Sequence, residues 1–433
     1  MSADSSGTTR VNVYKDTRRV GVLSSDAVGR LTFAYDESVL DDQSAAVSVR
    51  LPVRRLPYPD HQTLPCFENL LPEGEMRRLL AGSVHRSEDD VAGLLGVFGG
   101  ECAGALMLWP EGTTPPASPT YRPCTAADVR GAFGVARDEA RLAQTIRHGR
   151  LSMSGAQDKL VLYRRPAVGL GPNESQPRYA LPVAGAPSTV LVKRDRGRFP
   201  GLVQNELVAM ELMRAAGVPT APHAPHALDG SLYETARFDR VLNEDGSVVR
   251  HHAEDGCQLT GRTSLAKYAQ HGGPTYAELV AILNRYGMTP LEDGELLFRW
   301  AVANLALGNR DAHAKNVSVL HVRPMTVRLA PAYDVVCTLV YPALDGELPL
   351  RFGGQLMVAA LTPQSLTKAA REFRLAPARA RDLTAAVCDG IMAALPDVLQ
   401  GVEHAAGRHE VLARLDVTVR EQTAFVRRAL LGD

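Results

Sequence analysis

A chain of 433 residues is too long for one ordinary hydrophobic core and predicts two or three domains or lobes. Hydrophobic residues make up 45% of it and charged residues 22%, a balance that excludes an intrinsically disordered protein. Lys plus Arg and Asp plus Glu both number 48, so no bulk charge marks the chain as a binder of nucleic acid or of a membrane surface.

The first residues, MSADSSGTTR, lack the apolar stretch of a signal peptide, and no uninterrupted apolar run spans a bilayer. The expectation is a cytoplasmic protein with no membrane partner. Cys66, Cys102, Cys124, Cys257, Cys337 and Cys388 are scattered without CxxC spacing, which predicts buried free thiols. The close pairs His223/His226 and His251/His252 have no helical metal motif and are expected on the surface.

In chain order, the segments Val11–Tyr14, Arg19–Leu23, Arg30–Tyr35 and Ala45–Val53 read as strands separated by Asp, Gly and Ser. Phe67–Ala81 reads as a helical stretch, bounded upstream by Pro65 and interrupted or started by Pro72. Leu94–Leu108 is apolar and glycine-punctuated, as in a tight turn between buried elements. Four prolines in Glu111–Pro123 predict a linker, and the first boundary falls there. Ala126–Ile146 has a charged helical face. Leu160–Tyr163, Thr189–Lys193 and Leu232–Phe238 are strand-like, and Asn205–Ala216 is an amphipathic helix ended by Gly217 and Pro219. Beyond these, Tyr276–Tyr286, Glu295–Leu307, Leu366–Phe373, Pro377–Leu395 and Glu410–Leu431 are helical. The predicted class is α+β, divided into residues 1–123, 124–240 and a helical lobe 241–433.

The strongest chemical signal is the run Asn309 to Asn316, which contains R-D-x-x-x-x-N, the spacing of a protein-kinase catalytic loop. Phosphoryl transfer to a hydroxyl needs a carboxylate to accept the proton, here Asp311. It also needs a neutral oxygen for Mg²⁺ a turn further on, here Asn316. A capped helix end would give a similar pattern, with Asn309 and Asp311 satisfying backbone donors. Asp334, downstream in LAPAYDVV, is the second hard oxygen ligand such a site requires. The ordered set Asp311, Asn316, Asp334 favours phosphoryl transfer over two unrelated turns. Lys193 closes an apolar strand and could meet nucleotide phosphates, paired with Glu206 or Glu211 of the following helix, of which Glu206 is the better placed. The segment Arg150 to Lys159 is small-residue-rich but matches no standard phosphate loop.

Together, FENLLPEG, RLSMSGAQDK, VLVKRD, QNELVAMELMRAAGVP, ARFDR, DGCQLTGR, GNRDAHAKNVSV and LAPAYDVV resemble the HipA family of bacterial serine/threonine kinases, the toxins of type II toxin–antitoxin pairs. The phrases keep the family's order over residues 11 to 340. The resemblance implies a two-lobed, kinase-like fold with an extra N-terminal β-rich subdomain, using ATP and Mg²⁺. It implies that Ser154, Gly155, Ala156, Gln157, Asp158 and Lys159 cover the phosphates, and that Lys193 contacts the nucleotide. Ala236, Arg237 and Phe238 would lie beside adenine. Asp311 would be catalytic. His313, Ala314, Lys315 and Asn316, with Tyr333 and Asp334, would complete the nucleotide and Mg²⁺ site. Ser152 falls on the serine that the family autophosphorylates. The implied partners are a HipB-like helix-turn-helix antitoxin, operator DNA read mainly through that antitoxin, and a protein substrate, an aminoacyl-tRNA synthetase. The hinge departs from the family in reading A-R-F where an acidic residue can precede R-F. A small-molecule or lipid phosphotransferase, and a pseudokinase binding module for a DNA-binding antitoxin, stay open as other readings of the same residues.

Overall fold

The computed structural model describes residues 8–132, 146–147, 149, 159–166, 179–195, 197, 199–341 and 346–432. The chain divides into two compact units. The first contains residues 1–192, 236–254 and 320–326, and the second contains 193–235, 255–319 and 327–433.

The first unit begins with a four-stranded antiparallel sheet. Its order is Leu31–Tyr35, Arg18–Ser25, Thr9–Lys15, Leu106–Pro110. Val11, Val13, Val20, Leu23 and Phe33 alternate onto a buried face. The helices Asp60–Glu68, Gly74–Ser83 and Val91–Phe98 supply Phe67, Leu80, Leu94 and Leu95 to the same core. The rings of Phe33 and Phe67 lie 5.3 Å apart, and each fully buried phenylalanine contributes about 1.5–3 kcal/mol.

Pro65 sits inside its helix and does not bound it. The stretch Phe67–Ala81 is broken between Glu68 and Gly74, around Pro72. Leu94–Leu108 is no simple turn, because it contains the end of one helix and the start of a strand. The proline-rich segment Glu111–Pro123 ends in a strand, Thr120–Cys124, paired with Tyr179–Val183. Ala126–Ile146 is helical over Ala126–Ala132, and most of its remainder lies outside the described residues.

Ala45–Val53 is not a strand. It is a buried turn with a single bridge between Ser48 and Leu51. Side chains replace the missing ladder. Tyr35 Oη donates to the Leu51 carbonyl and accepts from Val47 N at 3.0 Å. His252 Nε2 donates to the Val47 carbonyl at 2.8 Å, and Glu254 accepts from Ser48 Oγ and Val49 N at 2.5 and 2.9 Å. An alternating apolar pattern records burial on one face, and here side-chain hydrogen bonds satisfy the backbone instead of a neighbouring strand.

The same residues explain an apparent metal group. Ligand atoms of His252, Glu254 and His321 lie within 4.8 Å of one another. Yet His252 Nε2 is committed to a carbonyl, its Nδ1 faces the Ala105 amide at 3.5 Å, and His321 donates Nε2 to Glu254 at 2.7 Å. Each histidine spends a ring N–H on a protein acceptor and Glu254 accepts from Ser48, Val49 and His321, so protein hydrogen bonds hold the cluster together. One histidine of each pair departs from the surface expectation: His226 and His252 are buried, with His226 Nδ1 bonded to Glu234 at 2.7 Å, whereas His251 is exposed and His223 half-buried.

A second polar core of this unit surrounds Glu101. Its carboxylate accepts from Ser188 N and Oγ, both at 2.9 Å, and faces Arg237, Arg240 and Arg250 at 2.8, 3.1 and 3.1 Å. Asp239 balances Arg237 and Arg240 at 2.7 and 2.9 Å. Burial pushes the Glu101 carboxyl up, but the three guanidinium groups outweigh it and the net direction is down.

In the second unit, helices start at strong signals. Thr275 and Glu278 form a capping box before Tyr276–Tyr286, and Pro290, Pro363 and Pro377 each open a helix where no backbone donor is needed. The helix Pro377–Ala406 continues past the expected stop at Leu395, through Pro396, because Leu395 and Val402 extend one buried stripe. This helix is long and apolar enough to cross a membrane by length and composition, but it packs on Leu202–Ala215 and Glu410–Leu431. Phe298 anchors the core, with Phe373 edge-on at 5.1 Å and Phe352 at 6.1 Å.

The buried His252 makes stability pH-dependent. Burial, then the neighbouring His321 and Lys15, hold its pKa well below the ordinary 6.5. Between the two values the unfolded chain binds the extra proton. Stability is thus complete above about pH 6.5 and falls on acidification, by at most about 1.4 kcal/mol per pH unit from this group. Urea midpoints measured from pH 8 to pH 5 are expected to fall in wild type and to fall less steeply in His252→Gln, where the buried His313 keeps its share of the slope.

Candidate active site

The helix Pro290–Ala306 ends in a junction built from buried amides. Asn304 donates to the Trp300 carbonyl at 2.8 Å and accepts from Asn309 Nδ2 at 2.8 Å. Asn309 Oδ1 in turn accepts from Asp311 N at 2.9 Å. Arg310 N donates to Thr338 Oγ1 at 2.8 Å, and that hydroxyl donates to the Gly308 carbonyl at 3.1 Å. Asn309 is therefore the capping residue of this turn. The Asp311 carboxylate has another partner, because Tyr268 Oη donates to its Oδ1 at 2.5 Å. The Asp311 side chain is 52% exposed, so a solvent-borne hydroxyl can reach it.

His313 N and Asn316 Nδ2 both donate to the Asp311 carbonyl, at 2.8 and 3.0 Å. Burial, then the Lys267 charge, push the His313 imidazole down to about 3, so the ring is neutral at physiological pH. Its Nδ1 is buried without a hydrogen-bond partner among the described residues. The Asn316 amide nitrogen is committed to Asp311, so the amide oxygen is the atom of this side chain that could hold a cation.

Lys315 is buried and pairs with Asp255 at 2.6 Å. Asp255 also caps the short helix Gly256–Thr260 through a capping box with Gln258. Gly256 is required by contact: a Cβ there would lie 2.6 Å from the Ala314 carbonyl oxygen. Tyr333 Oη donates to the Lys315 carbonyl at 2.7 Å and shares a 2.6 Å bond with Ser318 Oγ. The phrase DGCQLTGR thus serves as a support under the loop.

Lys193 ends the strand Val190–Lys193 with its side chain only 6% exposed. Its ammonium bridges Glu206 at 2.7 Å and Asp334 at 2.5 Å. Burial disfavours the charge, but the two carboxylates outweigh it and raise the pKa above the ordinary lysine value. Glu211 is occupied elsewhere, with Arg214 and His223. Next to Glu206, the Asn205 amide exchanges two bonds with the Cys337 backbone, at 2.9 and 2.8 Å. Asp334 itself has φ 57°, a left-handed conformation that a non-glycine residue adopts only when its surroundings impose it. The oxygen-only donor set of Asn316 and Asp334 fits a hard divalent cation such as Mg²⁺.

The second unit therefore contains Lys193, Asp311, His313, Ala314, Lys315, Asn316, Tyr333 and Asp334. Lys159 and Ala236, Arg237 and Phe238 belong to the first unit. The Arg237 guanidinium is consumed by Glu101, Asp239 and the Cys102 carbonyl, so this residue has its backbone, not its side chain, to offer a ligand. Ser152, Ser154, Gly155, Ala156, Gln157 and Asp158 lie outside the described residues. Residues without a recognised sequence signal are Tyr268, Asn304 and Thr338. Asp255 stood in a family phrase, but its tie to Lys315 had no sequence signature.

Two domain families match the sequence: the HipA-like C-terminal domain over residues 151–395 and the HipA N-terminal domain over residues 11–109. The chain belongs to the HipA family. A putative kinase Y4mE of Sinorhizobium fredii is 34% identical over 371 residues, covering 84% of this chain and 85% of the relative. The serine/threonine-protein kinase toxin HipA of Shewanella oneidensis is 27% identical, over 65% of this chain and 64% of that one. A solved HipA structure, from the Shewanella oneidensis complex of HipA, HipB and operator DNA, superposes with a TM-score of 0.79 at 22% identity. That match covers 98% of this chain and 97% of the other. The α+β, HipA kinase-like fold is therefore shared along nearly the whole chain.

The Asp255–Lys315 pair can be tested directly. Asn caps a helix about as well as Asp, so Asp255→Asn removes the charge and keeps the cap. A buried ammonium left without its carboxylate costs about 3–5 kcal/mol. Urea denaturation of Asp255→Asn is expected to show a loss of that order, and a loss under about 0.5 kcal/mol, the level of a neutral surface change, would contradict the role.

Proposed function

We propose that this chain is an ATP-dependent serine/threonine protein kinase and the toxin of a type II toxin–antitoxin module. The observation that carries the reading is the Lys193 ammonium bridging Glu206 and Asp334, in the same unit as the hydrogen-bonded loop of Asp311 and Asn316. In this reading Lys193 binds nucleotide phosphates, and Glu206 keeps it oriented. Asn316 and Asp334 would hold Mg²⁺, which neutralises phosphate charge when bound. Asp311 accepts the proton of a serine or threonine hydroxyl as its oxygen bonds the γ-phosphorus. The bond to the β–γ bridging oxygen breaks, and ADP leaves.

The remaining assignments follow from family membership. Ser154 to Lys159 would cover the phosphates, and the backbone at Ala236 to Phe238 would border adenine. His313, Ala314, Lys315 and Tyr333 would line the nucleotide site. The acceptors are a translation component, an aminoacyl-tRNA synthetase, and the chain's own Ser152. The solved relative was captured with HipB and operator DNA. By analogy, a HipB-like helix-turn-helix antitoxin is the partner here, and it carries most of the DNA sequence readout.

Two measurements test this reading. Asp311→Asn is expected to fold normally and to lower transfer from radiolabelled ATP by about 10²- to 10⁴-fold. Asp334→Ala is expected to lose Mg²⁺-dependent nucleotide binding. Wild-type transfer by Asp311→Asn would remove Asp311 as the base.

Ser152 is open to a separate test. A phosphate there adds about −1.5 to −2 charge close to the segment that covers ATP phosphates, so the loop is repelled from the nucleotide. Mass spectrometry is expected to find phosphate on Ser152 in active protein and not in Asp311→Asn, and the phosphorylated form is expected to bind ATP poorly. Full ATP affinity in that form would refute the switch.

A further inference from the structure

We infer that Tyr268 is a positioning residue for phosphoryl transfer, its hydroxyl holding one oxygen of the Asp311 carboxylate so that the carboxylate is aimed at the incoming hydroxyl. The inference rests on the assignment of Asp311 as proton acceptor.

The Tyr268 Oη to Asp311 Oδ1 distance, 2.5 Å, is that of a charge-assisted hydroxyl–carboxylate bond. The Asp311 backbone is already fixed by Asn309, His313 and Asn316. Its carboxylate is half-exposed, and an exposed aspartate rotates among staggered positions. A donor on one oxygen selects a single rotamer and leaves the backbone unchanged.

Tyr268 is itself built into a fastened loop. It lies between the 3₁₀ turns Ser264–Ala266 and Ala269–His271. His271 N and Gly273 N both donate to its carbonyl at 2.9 Å. Gly273 approaches so closely that a Cβ there would lie 2.6 Å from that oxygen. Arg262 Nε holds the Gly272 carbonyl at 2.9 Å, and its Nη2 pairs with Glu278 at 2.8 Å. Ala269 N donates to the Pro349 carbonyl at 2.7 Å. Ala314 N donates to the Lys267 carbonyl at 3.2 Å, which ties the loop to the segment that follows Asp311. The tyrosine ring meets His313 edge-on at 5.1 Å, so a residue of the active-site loop packs against the ring as well as the hydroxyl. A side chain needed only for packing would not require this placement of its hydroxyl.

Two substitutions separate hydroxyl from ring. Tyr268→Phe keeps the contact with His313 and removes the donor, whereas Tyr268→Ala removes both. The assay is single-turnover transfer from radiolabelled ATP to the full chain, with the maximal rate and the half-saturating ATP concentration read separately. Tyr268→Phe is expected to lower the maximal rate about tenfold, a modest cost for a misaimed reacting group, and to leave half-saturation within twofold. Tyr268→Ala is expected to lose little more than Tyr268→Phe. An unchanged or faster Tyr268→Phe overturns the inference, a faster one making the hydroxyl a competitor of the acceptor. So does a defect confined to Tyr268→Ala, which would make the ring the working part. Asp311→Asn in parallel keeps the two claims apart. If it is inactive while Tyr268→Phe matches wild type, only the Tyr268 role fails. If it transfers at the wild-type rate, or if wild type transfers nothing, the assignment of Asp311 fails and this inference falls with it.

Discussion

The buried ammonium of Lys193 is the constraint on which the second unit depends. One cation satisfies carboxylates from two distant parts of the sequence, Glu206 and Asp334. Such a triad adds little net stability, since desolvating three charges costs about as much as their attraction returns. Its effect is on geometry. Moving either carboxylate leaves the buried Lys193 ammonium short of a partner, and moving the lysine strands the buried Glu206. Asp334 can therefore be held at φ 57°, a conformation that costs about 1–3 kcal/mol at non-glycine positions. The adjacent Asn205 fastens the Cys337 backbone, so one turn of a single helix governs both the lysine and the segment after Asp334.

The loop of Asp311 and Asn316 is positioned by a different method. It has little regular secondary structure, and its backbone donors and acceptors go to side chains: Asn309, Thr338, Tyr333 and the Asn316 amide. Each such bond contributes only about 0.5–1.5 kcal/mol, but each also removes an alternative conformation. The buried Asp255–Lys315 pair and the glycine contact at Gly256 close the loop from beneath. The first unit repeats the principle with Glu101, which together with Asp239 and the Cys102 carbonyl takes up the Arg237 guanidinium.

The sequence by itself determined the class, most helices of the second unit and the ordered polar set from Lys193 to Asp334. Helix starts were legible because Thr275, Pro290 and Pro377 act locally, through capping and a fixed φ. The Lys193–Glu206 pair was legible because strand and helix are neighbours in sequence. Tertiary structure decided the rest. Ala45–Val53 has a strand's composition, yet its backbone partners are Tyr35, His252 and Glu254, the last two about two hundred residues away. Pro396 reads locally as a stop, but the buried stripe through Leu395 and Val402 carries the helix past it. Tyr268 on Asp311 and Asp255 on Lys315 had no signature at all, because a side-chain hydrogen bond between loops constrains a distance in space and leaves no period in the chain.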